Sequence, residues 1–465
     1  MVTLEELVAA SGRAAGGGPT VFPHVAVDSR EVREGDLFVA LRGERTDGHH
    51  FVAEAFDRGA GGALVREVPS AVPPGHTVVQ VADPLRALWT VADRRRQKTA
   101  LRMIGVTGSV GKTTTKEWIA ALLATTFRTF RSRGNRNTEV GLPMDLLELT
   151  GKEEAGVAEL AMRGPGEIRM LCDLVRPQVG VITNIGESHI GRLGSREAIA
   201  HAKAELFESL PPDGVAIVPG AEPFAPLLLA SAACDVWTVG RGEDDTVRAV
   251  DIEETSDGVR FTVTHGGERA PALLRAPGAH MLTNALLAVA AARAVGVPLG
   301  RAAEALAALA AAPGRASLVR EAGIWLLDDS YNASPLSLRG ALDVLGHVGG
   351  GRARRTVVVL GEMRELGSRS HAMHVESGRD VAGAGVDLLV AVGGADADAL
   401  VEGALGAGLE PSAVRRAPDA VAALEIARAE IQAGDRVLVK GSRAMGMERV
   451  VQGLCDWSPA GGEGG

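Results

Sequence analysis

The sequence predicts an α/β protein of three domains, covering residues 1–97, 98–312 and 313–465. Three observations predict it. At 465 residues the chain has room for about three domains of roughly 100–200 residues each. Short aliphatic runs of strand length alternate with stretches of helical character, as in largely parallel sheets covered on both faces. Two breaks divide that alternation, one just before Leu101 and one at Pro313-Gly314.

In the first domain, residues 25–30 end a strand on polar side chains and residues 35–41 form a strand opened by a turn. A helix over 52–58, a strand over 63–65 and a proline-rich loop over 69–74 follow. The central domain opens with an apolar strand over 103–107 and a helix over 113–125, with further strands at 157–160, 179–183 and 215–218. Alanine-rich helices are expected over 283–294 and 301–311, the second ended by Pro313-Gly314. The last domain has four strand cores, at 324–327, 357–360, 388–392 and 437–439, separated by helical segments as in a Rossmann-like sheet.

Composition narrows the function. Aromatic residues are 3% of the chain against 46% hydrophobic overall, so its cores must be aliphatic. A net charge of −9 with both signs interspersed argues against a nucleic-acid partner. The run Arg94-Arg95-Arg96 reads as a solvated helix end before a linker. Cys172, Cys234 and Cys455 lie far apart without metal spacing, which predicts a reduced, cytoplasmic protein. The acidic N-terminus lacks a signal-peptide layout, and no long charge-free apolar run predicts a membrane span.

The sharpest chemical signal lies between the predicted strand and helix at 103–125. There Thr107, Gly108, Ser109, Val110, Gly111, Lys112, Thr113 and Thr114 form a glycine-rich turn at a helix N-terminus. Backbone N–H groups and the helix dipole converge on phosphate oxygens in such a turn. Lys112 would neutralise the β- and γ-phosphates, and the Thr113 hydroxyl would hold Mg²⁺. The loop departs from the common P-loop in having Val106 where a glycine is usual.

Other polar residues stand at strand ends. Glu159 closes an apolar strand, where a carboxylate needs a partner, either a salt bridge or a cation such as Mg²⁺. His189 follows the strand at 179–183, at the sheet edge where open α/β folds place ligands. Taken singly, a structural histidine and a solvated helical lysine are the plainer readings of His189 and Lys203. His280 and Asn284 share a helix face. Arg315 lies at the second break, within reach of a nucleotide bound to the central domain. Asp328-Asp329 end a strand in a polar loop that continues through Ser330, Tyr331 and Asn332.

Together these residues resemble the Mur ligase family, the ATP-dependent amide-forming enzymes of peptidoglycan assembly, over nearly the whole chain. The phosphate loop, His280 with Asn284, Pro313-Gly314-Arg315 and residues 328–333 carry the resemblance. Residues 28–43, 134–143 and 329–333 favour the member that joins D-alanyl-D-alanine to UDP-N-acetylmuramoyl-tripeptide, and residues 361–367 and 440–443 resemble its last domain. The resemblance implies a uridine-nucleotide-binding first domain, a central ATPase domain and a C-terminal ligase domain that swings on hinges near 98–102 and 311–314. It implies ATP and Mg²⁺ as cofactors, with Thr113, Glu159, His189 and a carbamylated Lys203 around the metal. Lys112, Lys203, Glu159 and His189 would be catalytic. Asn284, Arg315 and Asp329 would contact ATP alongside the loop, and Ser29, Arg30, Asn135, Asn137 and Asn332 would contact substrate. A monomer is expected. The rivals are another amino-acid ligase of the family and a nucleotide-binding regulatory module.

Overall fold

The computed structural model describes the chain except residues 11, 44–45, 256–257, 277, 311–312, 322, 350–352 and 458–465. It forms two compact units. One comprises Met1–Gly105, Phe127–Met162 and Glu167–Gln178; the other comprises Val106–Thr126, Arg163–Gly166 and Val179–Gly465.

The first unit contains a five-stranded sheet in the order Arg13–Gly16, Thr77–Gln80, Gly62–Val65, Leu37–Val39, Val25–Ala26. Its first pair is antiparallel and the rest are parallel. Phe38, Val52, Phe56, Val65 and Val78 fill one core against it. The helix Pro84–Gln97 starts from an Asp83 cap with proline in its first turn. Its basic end is solvated only at Arg94, which corrects the reading of the arginine run for Arg95 and Arg96. Arg96 is 4% exposed and donates to the carbonyls of Val175 (2.8 Å), Leu101 (3.0 Å) and Arg176 (3.2 Å). Arg95 reaches the Glu6 carboxylate at 2.8 Å and the Leu147 carbonyl. A guanidinium offers five donors in a rigid fork, so one side chain can satisfy several chain ends that converge.

Strands Thr129–Arg131 and Ala155–Glu159 run parallel in the same unit, beside the first residues of strand Arg102–Thr107. In the second unit, Val179–Ile182, Val215–Pro219, Asp235–Gly240 and Val247–Thr255 are successive parallel neighbours. Two antiparallel strands, Gly258–His265 and Glu268–Leu274, extend that sheet and were not expected. The apolar helix Ala279–Ala294 packs against both the strands and helix Lys112–Ala124, which explains why it carries no polar face. The expected helix over 301–311 is shorter, Leu299–Ala305 followed by a tight turn, and its last residue lies outside the described residues.

The same unit ends in a six-stranded sheet, ordered Ser317–Glu321, Ile324–Asp329, Arg436–Lys440, Thr356–Gly361, Leu388–Val392, Val414–Ala417. All four expected strand cores are present and parallel. The two unexpected strands are the edges, where Arg320, Glu321, Arg415 and Arg416 break the apolar pattern. Among the described residues the cysteines form no disulfide, and no helix is long and apolar enough to cross a membrane.

Candidate active site

The loop from Gly108 to Gly111 is held in shape by the segment that follows strand Val179–Ile182. The Asn184 carboxamide accepts from the Val110 N–H and donates to its carbonyl, both at 2.9 Å. The Thr183 hydroxyl donates to the same carbonyl at 2.6 Å, and the Gly186 N–H donates to Ser109 Oγ at 2.8 Å. Gly108, at φ 144°, must be glycine: a Cβ there would lie 1.9 Å from Thr183 Oγ1. Gly111, at φ 84°, ends the loop and opens helix Lys112–Ala124. Thr107, Thr113 and Thr114 are buried around it.

Two lysines meet on one carbonyl. Lys112 Nζ donates to Gly108 O at 2.8 Å, and Lys203 Nζ donates to the same oxygen at 3.0 Å. The reading of Lys203 as a solvated helical lysine fails, because it is 2% exposed. Burial, and then the charge of Lys112, holds its amine well below the usual lysine range. Asn284 is buried beside the loop: a Cβ on Gly111 would approach its Oδ1 to 2.9 Å.

His189 adopts a left-handed backbone, φ 66°, and its Nδ1 lies 2.7 Å from Glu365 Oε2. The His189 ring lowers the Glu365 carboxyl from its ordinary range. Close by, the Gly191 N–H donates to the Glu365 carbonyl at 3.2 Å. Among the described residues no three His, Cys, Asp or Glu side chains converge as a metal cluster.

At the C-terminal sheet the carboxylates of the 328–329 pair knit two loops together. Asp328 accepts from the Gly314 N–H at 3.0 Å and from the Ser330 hydroxyl at 2.6 Å. Asp329 accepts from the Ala316 N–H at 3.1 Å and pairs with the buried Lys440, which also donates to the Asn332 carbonyl at 2.9 Å. The Arg315 guanidinium lies 4.0 Å above the Tyr331 ring. Asn332 itself is exposed.

The remaining candidates belong to the first unit. Asp28 caps a turn and takes a bidentate grip from Arg30, whose hydrogen bonds bring the Asp28 carboxyl down to about 2; Ser29 is buried beside it. Asn137 Nδ2 donates to Glu159 Oε1 at 2.8 Å, and the Asn135 carbonyl accepts from the Asn137 N–H. Glu159 is 2% exposed. Asp145 anchors this loop by accepting from the Arg133 N–H (2.8 Å) and Arg136 (3.2 Å), while burial pushes its carboxyl up to about 6.

Asn184, Asp145, Glu365 and Lys440 make contacts for which reading the sequence assigned no individual role. Asn184 follows a predicted strand and could have been found by asking what satisfies the loop's own peptide groups. Asp145 reaches back 12 and 9 residues to Arg133 and Arg136, whereas Glu365 and Lys440 act across long separations that leave no local pattern.

Three family models match the chain in order. They are the Mur ligase family catalytic domain over residues 22–94, the Mur ligase middle domain over 106–292 and the Mur ligase glutamate ligase domain over 314–443. The UDP-N-acetylmuramoyl-tripeptide–D-alanyl-D-alanine ligase of Bacillus subtilis is 37% identical over 94% of this chain and 94% of its own. Among solved structures, MurF from Acinetobacter baumannii superposes with a TM-score of 0.86 at 33% identity, covering 98% of this chain and 99% of that one. The MurF ligase of Thermotoga maritima in complex with ADP gives a TM-score of 0.78 at 27% identity, covering 93% of this chain and 97% of that one. The three domains, their order and the length of these matches agree: this chain belongs to the Mur ligase family.

Proposed function

We propose that this chain is the ATP-dependent ligase that joins D-alanyl-D-alanine to UDP-N-acetylmuramoyl-tripeptide in peptidoglycan precursor synthesis. The observation that carries the catalytic reading is the meeting of Lys112 and the buried Lys203 on the Gly108 carbonyl. The substrates are those in the name of a relative that matches 94% of the chain.

A carboxylate is a poor acyl donor, so the tripeptide's carboxylate oxygen first takes the γ-phosphoryl group of ATP and releases ADP. The dipeptide amine then attacks the acyl phosphate carbon, inorganic phosphate leaves, and the amine gives up a proton as the amide forms. Phosphoryl transfer demands alignment and charge neutralisation more than covalent help. Residues 107–114 and Asn284 bind the nucleotide, Lys112 and Arg315 face its phosphates, and Asp329 holds the segment that carries Arg315. Ser29, Arg30, Asn135, Asn137 and Asn332 contact the peptide-nucleotide and dipeptide substrates.

The residues proposed for Mg²⁺ are Thr113, Glu159, His189 and a carbamylated Lys203. Three of them would offer the oxygen donors a hard dication prefers: the Thr113 hydroxyl, the buried Glu159 carboxylate and, once carbamylated, Lys203, whose amine burial and Lys112 hold below the usual lysine range. When bound, the metal would offset phosphate charge. Residues 1–97, 98–312 and 313–465 are the three domains in this reading, and the enzyme is a cytoplasmic monomer.

Phosphate release tests the assignment. It should require ATP, Mg²⁺, UDP-N-acetylmuramoyl-tripeptide and D-alanyl-D-alanine together, and should stay near background with either peptide substrate omitted. Brisk hydrolysis with neither present would favour a regulatory ATPase, and release with a single amino acid replacing the dipeptide would favour another ligase of the family.

A further inference from the structure

Arg315 is held in an unusual way. Its neighbours Gly314 and Ala316 both have positive φ, 74° and 55°, so the backbone turns sharply on either side of it. That turn is pinned through the peptide groups. The Gly314 N–H donates to Asp328 at 3.0 Å, the Ala316 N–H donates to Asp329 at 3.1 Å, and the Tyr331 N–H donates to the Gly314 carbonyl at 3.0 Å. The chain leaves the guanidinium over the face of Tyr331 at 4.0 Å.

Among the described residues, no carboxylate or carbonyl accepts from that guanidinium. The other arginine near this ring is paired: Arg443 meets Glu448 at 3.1 Å. Arg443 also lies over the Tyr331 ring, but farther away, at 5.5 Å. An aromatic face attracts a cation through its quadrupole and fixes the plane of the guanidinium without occupying its N–H donors. A carboxylate in the same place would orient the side chain but cancel the charge that a phosphate needs. Tyr331 is the chain's only tyrosine, so no other phenol ring can take over this contact.

We propose that Tyr331 is a positioning residue: its ring holds Arg315 in one orientation with all donors free for the nucleotide's phosphates. The inference rests on the reading of Arg315 as an ATP contact. The ring face carries the effect, so the phenol hydroxyl is dispensable.

The test is ligase turnover in the full chain, with kcat and KM for each substrate and a melting curve for every variant. Tyr331→Phe should keep activity within about twofold, whereas Tyr331→Leu should lower kcat by roughly tenfold or more and leave KM for D-alanyl-D-alanine unchanged. Arg315→Ala should lose more, and adding Tyr331→Leu to it should cost little further, because the ring acts only through the guanidinium. Additive losses in the double variant, or a Phe variant as impaired as the Leu one, would overturn the proposal. If Tyr331→Leu proves unfolded, Tyr331→Trp, which keeps an aromatic face, must retain activity. An Arg315→Ala variant with full turnover would remove Arg315 from the ATP site and the proposal with it, and it would leave the ligase assignment standing on phosphate release.

Discussion

Lys203 shows how a single side chain can be set up for chemistry by its surroundings. It is buried, it shares a carbonyl with another lysine, and its amine is depressed by desolvation and by Lys112. A neutral amine is the form that captures carbon dioxide, so in the proposed mechanism the lowered amine is what would let a carbamate form at this position. Lys203→Ala should therefore lose most activity in the phosphate-release assay, with partial recovery in added acetate, while Lys203→Arg should stay inactive. An alanine variant with normal turnover would remove the carbamate from the mechanism. The linkage has a definite sign. The unmodified amine binds its proton less readily in the folded chain than in the unfolded one, so the fold loses stability as pH falls through the depressed value. Read alone, Ala202-Lys203-Ala204-Glu205 looks like any exposed helical stretch, because burial is decided by a loop 95 positions away in the chain; only the family resemblance pointed to a carbamate there.

At the scale of elements, the phosphate loop was readable because its chemistry is local: glycines, a lysine and threonines at a strand–helix junction. The two antiparallel strands after residue 257 were not read, although Val259, Phe261 and Val263 alternate inward with a period of two. The misread arginine run failed for the opposite reason. Charge suggested solvent, but the carbonyls that claim Arg96 come from Val175 and Arg176, about 80 residues on. The loop over 133–140 depends on an element of the same kind, Asp145 in the short helix Gly141–Leu146. Its carboxyl is raised to about 6, so the folded chain binds a proton there more readily than the unfolded chain does. Stability should accordingly fall as pH rises from about 4 to about 6, by an order of 2–3 kcal/mol for this group alone. Urea unfolding of the wild type and of Asp145→Asn across that range checks it: the difference between them should shift toward the variant as pH rises. A constant difference would mean that the Asp145 carboxyl keeps its ordinary range in the fold.

Across the whole molecule, the segment after strand Val179–Ile182 serves two ends of the second unit. Residues 183–186 brace the phosphate loop, and residues 189–191 meet the loop at 365–367 that belongs to the C-terminal sheet. The second meeting is a backbone crossing between glycines. A Cβ on Gly191 would lie 2.7 Å from the Gly367 nitrogen and 2.8 Å from the Glu365 carbonyl. Any side chain there must push the two segments apart. Gly191→Val is expected to lower kcat by about tenfold or more, because the ligase domain must sit correctly for the amine to reach the acyl phosphate. ADP affinity measured by calorimetry should change little, since residue 191 makes none of the loop's contacts; equal losses in both would place the defect in the nucleotide site instead.

The scarcity of aromatic residues, which the aliphatic cores make up for, has a practical consequence at Tyr331. Growing the protein with 3-fluorotyrosine would introduce one fluorine label into the entire 465-residue chain, on the ring that carries Arg315. Its fluorine spectrum would need no assignment. A cation resting on an aromatic face perturbs such a nucleus, so successive additions of nucleotide and peptide would report, from one resonance, whether the guanidinium stays on its platform while the phosphates are engaged.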